Sequence, residues 1–114
     1  MPAAKELRDL QNDELEEHIK TARKEIFGLR VSGDSMIEAG ILDGDYVVAR
    51  AQPDANQGEM VVAGIPGGEA TVKTYKREGD QIILVPANAA YEPMVFGSDE
   101  VTLFGKVVTI MRKV

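Results

Sequence analysis

The 114-residue chain contains no cysteine and one histidine, His18. Without cysteine there are no disulfides, no thiolate nucleophile and no Cys-based metal site, and such a chain suits a reducing, cytoplasmic setting. His18 lies in a charged N-terminal segment, which argues against a Ser-His triad and against a His-based metal site. No glycine-rich phosphate loop occurs, so neither a metal nor a cofactor is expected. No apolar run approaches the roughly 20 residues that span a bilayer. The N-terminus is charged rather than signal-like, so no membrane association is expected. An excess of positive charge is missing as well. The net charge is −6, and residues 31–114 hold seven Lys/Arg against twelve Asp/Glu. Duplex binding depends on clustered Lys and Arg, so direct DNA binding by this chain is not expected.

With 44% hydrophobic residues the chain can build one modest core. Residues 1–30 differ from the rest. Leu15, Ile19, Ala22, Ile26 and Leu29 recur at spacings of four and three, the stripe of an amphipathic helix. Asn12 or Asp13 caps its start, and Glu14, Glu16 and Glu17 suit the positive end of the helix dipole. A shorter helix from Ala4 to Leu10 can fold back on the stripe through Leu7 and Leu10. The expectation is an N-terminal helical hairpin or long helix over residues 1–30, preceding a separate unit at 31–114. Ala4-Lys-Glu-Leu-Arg-Asp-Leu10 through Lys24-Glu-Ile-Phe-Gly-Leu-Arg30 resembles the start of the small two-helix ribosomal protein that borders the nascent-chain exit tunnel. That resemblance implies a foreign fusion, or ribosome association.

Beyond Arg30 short β-branched runs alternate with turn residues. Tyr46–Arg50, Met60–Ile65, Ala70–Lys76, Gln81–Val85 and Val101–Arg112 read as strands, separated by Asp43-Gly44-Asp45, Pro53-Asp54, Pro66-Gly67-Gly68 and Gly79-Asp80. These predict a mainly β fold, a twisted antiparallel sheet folded into a compact partial barrel. The last strand, Lys106-Val-Val-Thr-Ile-Met-Arg112, is apolar on both faces, so an unpaired edge there predicts a homodimer through this strand.

Two residues offer chemistry. Ser35 sits in a glycine-flanked turn, and Lys73 lies on a predicted strand with Thr71 and Tyr75 on the same face. A serine hydroxyl is a poor nucleophile until a base removes its proton, and a lysine stripped of water can be that base. An ordinary lysine pKa of about 10.4 leaves about one amine in a few thousand neutral at pH 7; lowering it enough corresponds to about 4 kcal/mol, within the reach of burial. Taken singly, a serine after Gly-Asp is most often a helix cap and a strand lysine most often a solvated edge residue; only the combination of motifs reverses that weighting. Asp43 and Asp45 read as turn formers.

The ordered set Ser32-Gly-Asp-Ser-Met36, Gly40-Ile-Leu-Asp-Gly-Asp45, Gly58-Glu-Met-Val-Val62, Ala70-Thr-Val-Lys73, Leu84-Val-Pro-Ala-Asn88 and Tyr91-Glu-Pro93 resembles the self-cleaving LexA family of SOS repressors, UmuD-type mutagenesis proteins and phage repressors. The resemblance covers residues 29–114 and implies a serine endopeptidase with a Ser-Lys dyad. It implies Ser35 as nucleophile, Lys73 as general base, the Ser35 and Met36 N–H groups as oxyanion donors, and Gly33 and Asp34 as support for the substrate strand. It further implies cleavage of an Ala-Gly-type peptide loop, stimulated by a RecA filament. The alternative within the family is a UmuD-like accessory subunit of an error-prone polymerase. Two family parts are not found in this sequence, the winged helix-turn-helix and the cleavage loop ahead of the nucleophile. Ala39-Gly40 and Ala63-Gly64 present the cleaved dipeptide, but the first sits just past the nucleophile and the second in a core strand. Self-cleavage at either is not expected.

Overall fold

Alternating β-branched residues between turn formers build one antiparallel sheet. The computed structural model describes residues 25–113. The strands are β1 (Ile26–Arg30), β2 (Tyr46–Ala51), β3 (Met60–Ile65), β4 (Glu69–Glu78), β5 (Gln81–Val85), β6 (Met94–Gly97) and β7 (Thr102–Met111). They form a 7-stranded sheet in the order β1-β2-β7-β3-β4-β5-β6. The sheet is open, with β1 and β6 at its edges among the described residues, and does not close into a barrel. One 3-10 helix, Ile37–Ala39, interrupts the connection from β1 to β2.

Two apolar clusters occupy opposite faces of the sheet. Leu29, Met36, Ile41, Val47, Ala49, Val62 and Val72 form one, and Val61, Ala63, Tyr75, Ile82 and Leu84 form the other. Val61 and Val62 are adjacent in β3, and both are fully buried. Consecutive strand residues point to opposite faces, so the sheet must be covered on both sides at this strand. The same alternation sends Val72 into the first cluster and Tyr75 into the second, as expected from the reading of β4.

The helical reading of residues 26–30 is overturned. These residues form β1, paired antiparallel with β2 from Ile26↔Arg50 to Arg30↔Tyr46. Phe27, Leu29 and Val31 all pack on the first cluster, a period of two, and Gly28 between them is a poor helix former. Ile26 and Leu29 fit the helical stripe only because a spacing of three is short enough to satisfy by coincidence. The rest of the expected helical hairpin lies outside the described residues.

β7 corrects a second expectation. It is not an edge strand along its length, because Thr102–Lys106 pairs with β3 and Gly105–Met111 with β2, so that Gly105 and Lys106 are bordered on both sides. Pairing with β3 stops at Lys106, while pairing with β2 continues to Met111. Among the described residues, 107–111 therefore has one side unpaired, and Val108, Ile110 and Met111 there are exposed.

Candidate active site

The segment carrying Ser35 leaves the sheet after β1 and returns at β2, and hydrogen bonds tie it at its base. Val31 N–H donates to Asp45 O (2.7 Å), and Gly44 N–H donates to Val31 O (2.8 Å). Gly33 has φ +96°, a conformation side chains rarely adopt, and its N–H donates to Asp43 Oδ1 at 2.7 Å. Met36 and Ile41 are buried and anchor the segment on the first cluster. Ser35 is thus held half-buried between an anchored methionine and a glycine-dependent turn.

Lys73 comes from the middle of β4, with Val61 of β3 opposite. It is only 8% exposed. Its Nζ donates to Ser35 Oγ at 2.9 Å and to Thr71 Oγ1 at 2.6 Å. Both partners are neutral hydroxyls, so among the described residues no carboxylate repays the desolvation of an ammonium. Burial accordingly holds the Lys73 pKa below the ordinary lysine value.

A third element locks the serine turn in place. The loop after β5 lies along it: Glu38 N–H donates to Ala87 O (2.7 Å), Ala89 N–H to Glu38 Oε2 (2.8 Å), and the buried Asn88 Nδ2 to Asp34 O (2.8 Å). Tyr91 O–H donates to Asp34 Oδ1, and that anionic neighbour pushes the Tyr91 pKa up. Asp34 is exposed, and its carbonyl and carboxylate both accept hydrogen bonds from the loop after β5. Asn88, Glu38 and Tyr91 were not assigned a role from the sequence. Asn88 and Tyr91 stood inside ordered motifs, yet their partners are 54 and 57 residues away, a distance no local pattern bridges.

The 3-10 helix begins just after Ser35 and Met36. Among the described residues neither the Ser35 nor the Met36 N–H meets a protein acceptor, the state required of oxyanion donors. Ser35 and Lys73 lie on the wall of a cleft of about 810 Å³, with Leu29, Val31, Ile65 and Tyr91 also on its lining. Among the described residues no group of three or more His, Cys, Asp or Glu is arranged to hold a metal ion. No helix of the described residues is long and apolar enough to cross a membrane. A hydroxyl beside a dry amine, with main-chain donors next to it and an open cleft in front, is an arrangement suited to nucleophilic attack on a carbonyl.

Residues 2–108 match the sequence model of a family described as peptidase S24-like. The match runs through the lead segment, and nothing supports the likeness of residues 4–30 to a ribosomal protein. The chain is 54% identical over 89 residues to the LexA repressor of Thermobifida fusca, covering 78% of this chain and 34% of that protein. It is 52% identical over 89 residues to the LexA repressor of Mycobacterium leprae, covering 78% and 37%. The LexA repressor of Streptomyces clavuligerus is 52% identical over 90 residues, covering 79% and 36%. The chain thus spans about a third of the length of these curated relatives.

Proposed function

The chain belongs to the peptidase S24-like family, and from that premise we infer that it is the catalytic and dimerisation domain of a LexA-type repressor, with Ser35 as nucleophile and Lys73 as general base. The observation that carries this reading is the 2.9 Å contact between Lys73 Nζ and Ser35 Oγ, made by an amine that is 8% exposed. With Lys73 neutral, the Ser35 O–H donates to its lone pair. As Oγ attacks a peptide carbonyl, the proton passes to Nζ, and the ammonium then returns it to the leaving amine. The Ser35 and Met36 N–H groups receive the oxyanion, and water subsequently hydrolyses the acyl-enzyme. Thr71 Oγ1 fixes the amine toward the serine.

The substrate in this reading is an Ala-Gly-type peptide segment entering the cleft from outside the described residues or from another molecule. The chain's own dipeptides are poor candidates. Ala63 is fully buried between β4 and β7, and Gly40 O is held by Arg112. By family resemblance, a RecA filament favours the cleavable arrangement in the full cytoplasmic repressor. A second copy pairs on the free side of residues 107–111, where Val108, Ile110 and Met111 are exposed.

Incubation of the chain with an Ala-Gly peptide from pH 7 to 10 tests the dyad. Cleavage is expected to rise about tenfold per pH unit below the Lys73 pKa and to vanish in Ser35→Ala and Lys73→Ala. Equal cleavage by wild type and Lys73→Ala would refute it.

A further inference from the structure

The two halves of the dyad are held by different devices. Lys73 is fixed by the sheet itself, whereas Ser35 sits on an irregular segment whose geometry depends on cross-links. One cross-link is not part of the chemistry described above. Asp45 is 3% exposed, and Arg112, just past β7, grips its carboxylate with two bonds, Nε to Oδ1 at 2.8 Å and Nη2 to Oδ2 at 2.7 Å. The same guanidinium donates to Gly40 O at 2.8 Å, and Asp45 Oδ2 also accepts Leu42 N–H at 2.8 Å. Gly40 terminates the 3-10 helix that starts immediately after Ser35 and Met36.

We propose that Arg112 is a positioning residue for the nucleophile: through Asp45 and Gly40 it latches the far end of the 32–45 segment to the end of β7, setting the Ser35 hydroxyl at its distance from Lys73. This deepens the dyad reading and rests on it. A buried carboxylate needs its partner, and a bidentate guanidinium supplies direction as well as charge. Without Arg112, Asp45 must protonate or draw in water, Gly40 O loses its donor, and the 3-10 helix is free to shift. Lys73 makes none of these contacts, so its burial survives and only the relative placement of the pair changes.

Arg112→Gln, Arg112→Lys and wild type are compared in cleavage of an Ala-Gly peptide across pH 7–10 and in amide hydrogen exchange. Arg112→Gln is expected to lower kcat about 10²-fold, the scale of a misplacement near 1 Å, with the midpoint of the alkaline rise unmoved. Arg112→Lys, which keeps the charge but not the fork, recovers part of that loss. Exchange is expected to quicken at Leu42 and Gly44 while β3, β4 and β5 stay protected. An unchanged kcat, a moved pH midpoint, or exchange that quickens throughout the sheet overturns the latch. If the wild type shows no Ser35-dependent cleavage, the dyad reading fails, and exchange still decides the latch: selective loss at Leu42 and Gly44 supports it, and no change there overturns it.

Discussion

Replacing Lys73 with Met should make the protein more stable at neutral pH, and the advantage should disappear as pH rises. The reason is the environment of the amine: 8% exposed, bonded among the described residues only to the Ser35 and Thr71 hydroxyls, and lowered in pKa by burial. Between that lowered pKa and the ordinary value of 10.5, the unfolded chain binds a proton that the folded chain does not. Stability then increases with pH by about 1.4 kcal/mol per pH unit across the window, because unfolding takes up one proton. Below the folded pKa the contribution of Lys73 is a constant penalty, and above 10.5 the penalty is gone. Methionine matches the length of the lysine stem and does not titrate. At high pH the balance tips the other way, since the neutral amine keeps two hydrogen bonds of about 1 kcal/mol each that methionine lacks. Urea unfolding of both proteins from pH 6 to 11 measures the difference, and groups that titrate in both cancel from it. Parallel curves over the whole range would mean that the amine titrates normally in the folded state, and the general-base assignment would go with it.

Other perturbations probe the supports of the site. Asn88→Ala removes the donor to Asp34 O and the acceptor of Ala90 N–H, 2.8 and 2.9 Å bonds at a buried residue. It should cost about 2–3 kcal/mol in urea unfolding and lower kcat more than it raises KM. Gly105→Ala would place a Cβ 2.4 Å from Arg50 O, in the backbone of the neighbouring strand β2. Backbone must move, so a loss of about 1–3 kcal/mol is expected in the same assay, and an unchanged midpoint would contradict the close approach. Asp45 has its pKa lowered by the Arg112 hydrogen bonds and then by Leu42 N–H. Its contribution is complete above the unfolded pKa of about 3.9 and fades as pH falls through the lower folded value, so acid unfolding of wild type and Asp45→Asn should converge only below about pH 4.

The strands that the sequence revealed are those whose patterning is local. β3 and β5 have the expected limits, and β2, β4 and β7 differ from expectation only at their ends. β1 was hidden because Phe27, Leu29 and Val31 span a short alternation that follows a long charged stretch with helical spacing. β6, only four residues long and rich in neither turn signals nor alternation, left no trace that could be distinguished from loop. The edge status of β7 was beyond reach for a different reason: which strands flank it depends on sheet order, and neighbours separated by some 40 to 60 residues leave no mark in a local window.

The site divides along the same line. Ser35 and Lys73 stood out as chemical types in a recognisable order, and alternation along β4 placed Lys73 with Thr71. Beyond the bonds that close the 31–45 segment on itself, what holds Ser35 in position is long-range. Asn88, Tyr91 and Arg112 reach its segment across 54 to 72 residues of chain through main-chain carbonyls and carboxylates, partners that any segment can offer. Burial of an amine costs stability wherever it occurs, and β4 can bear that cost because its backbone is paired with β3 at Lys73 and with β5 from Thr74 onward. A hydroxyl must stay reachable by substrate, so it cannot be enclosed in the same way. The fold therefore keeps the Lys73 amine rigid through the sheet and the Ser35 hydroxyl accessible through cross-links, the division of labour the proposed dyad requires. Variants in β4 should accordingly move the pH profile, and variants in the cross-links should change the rate at fixed pH.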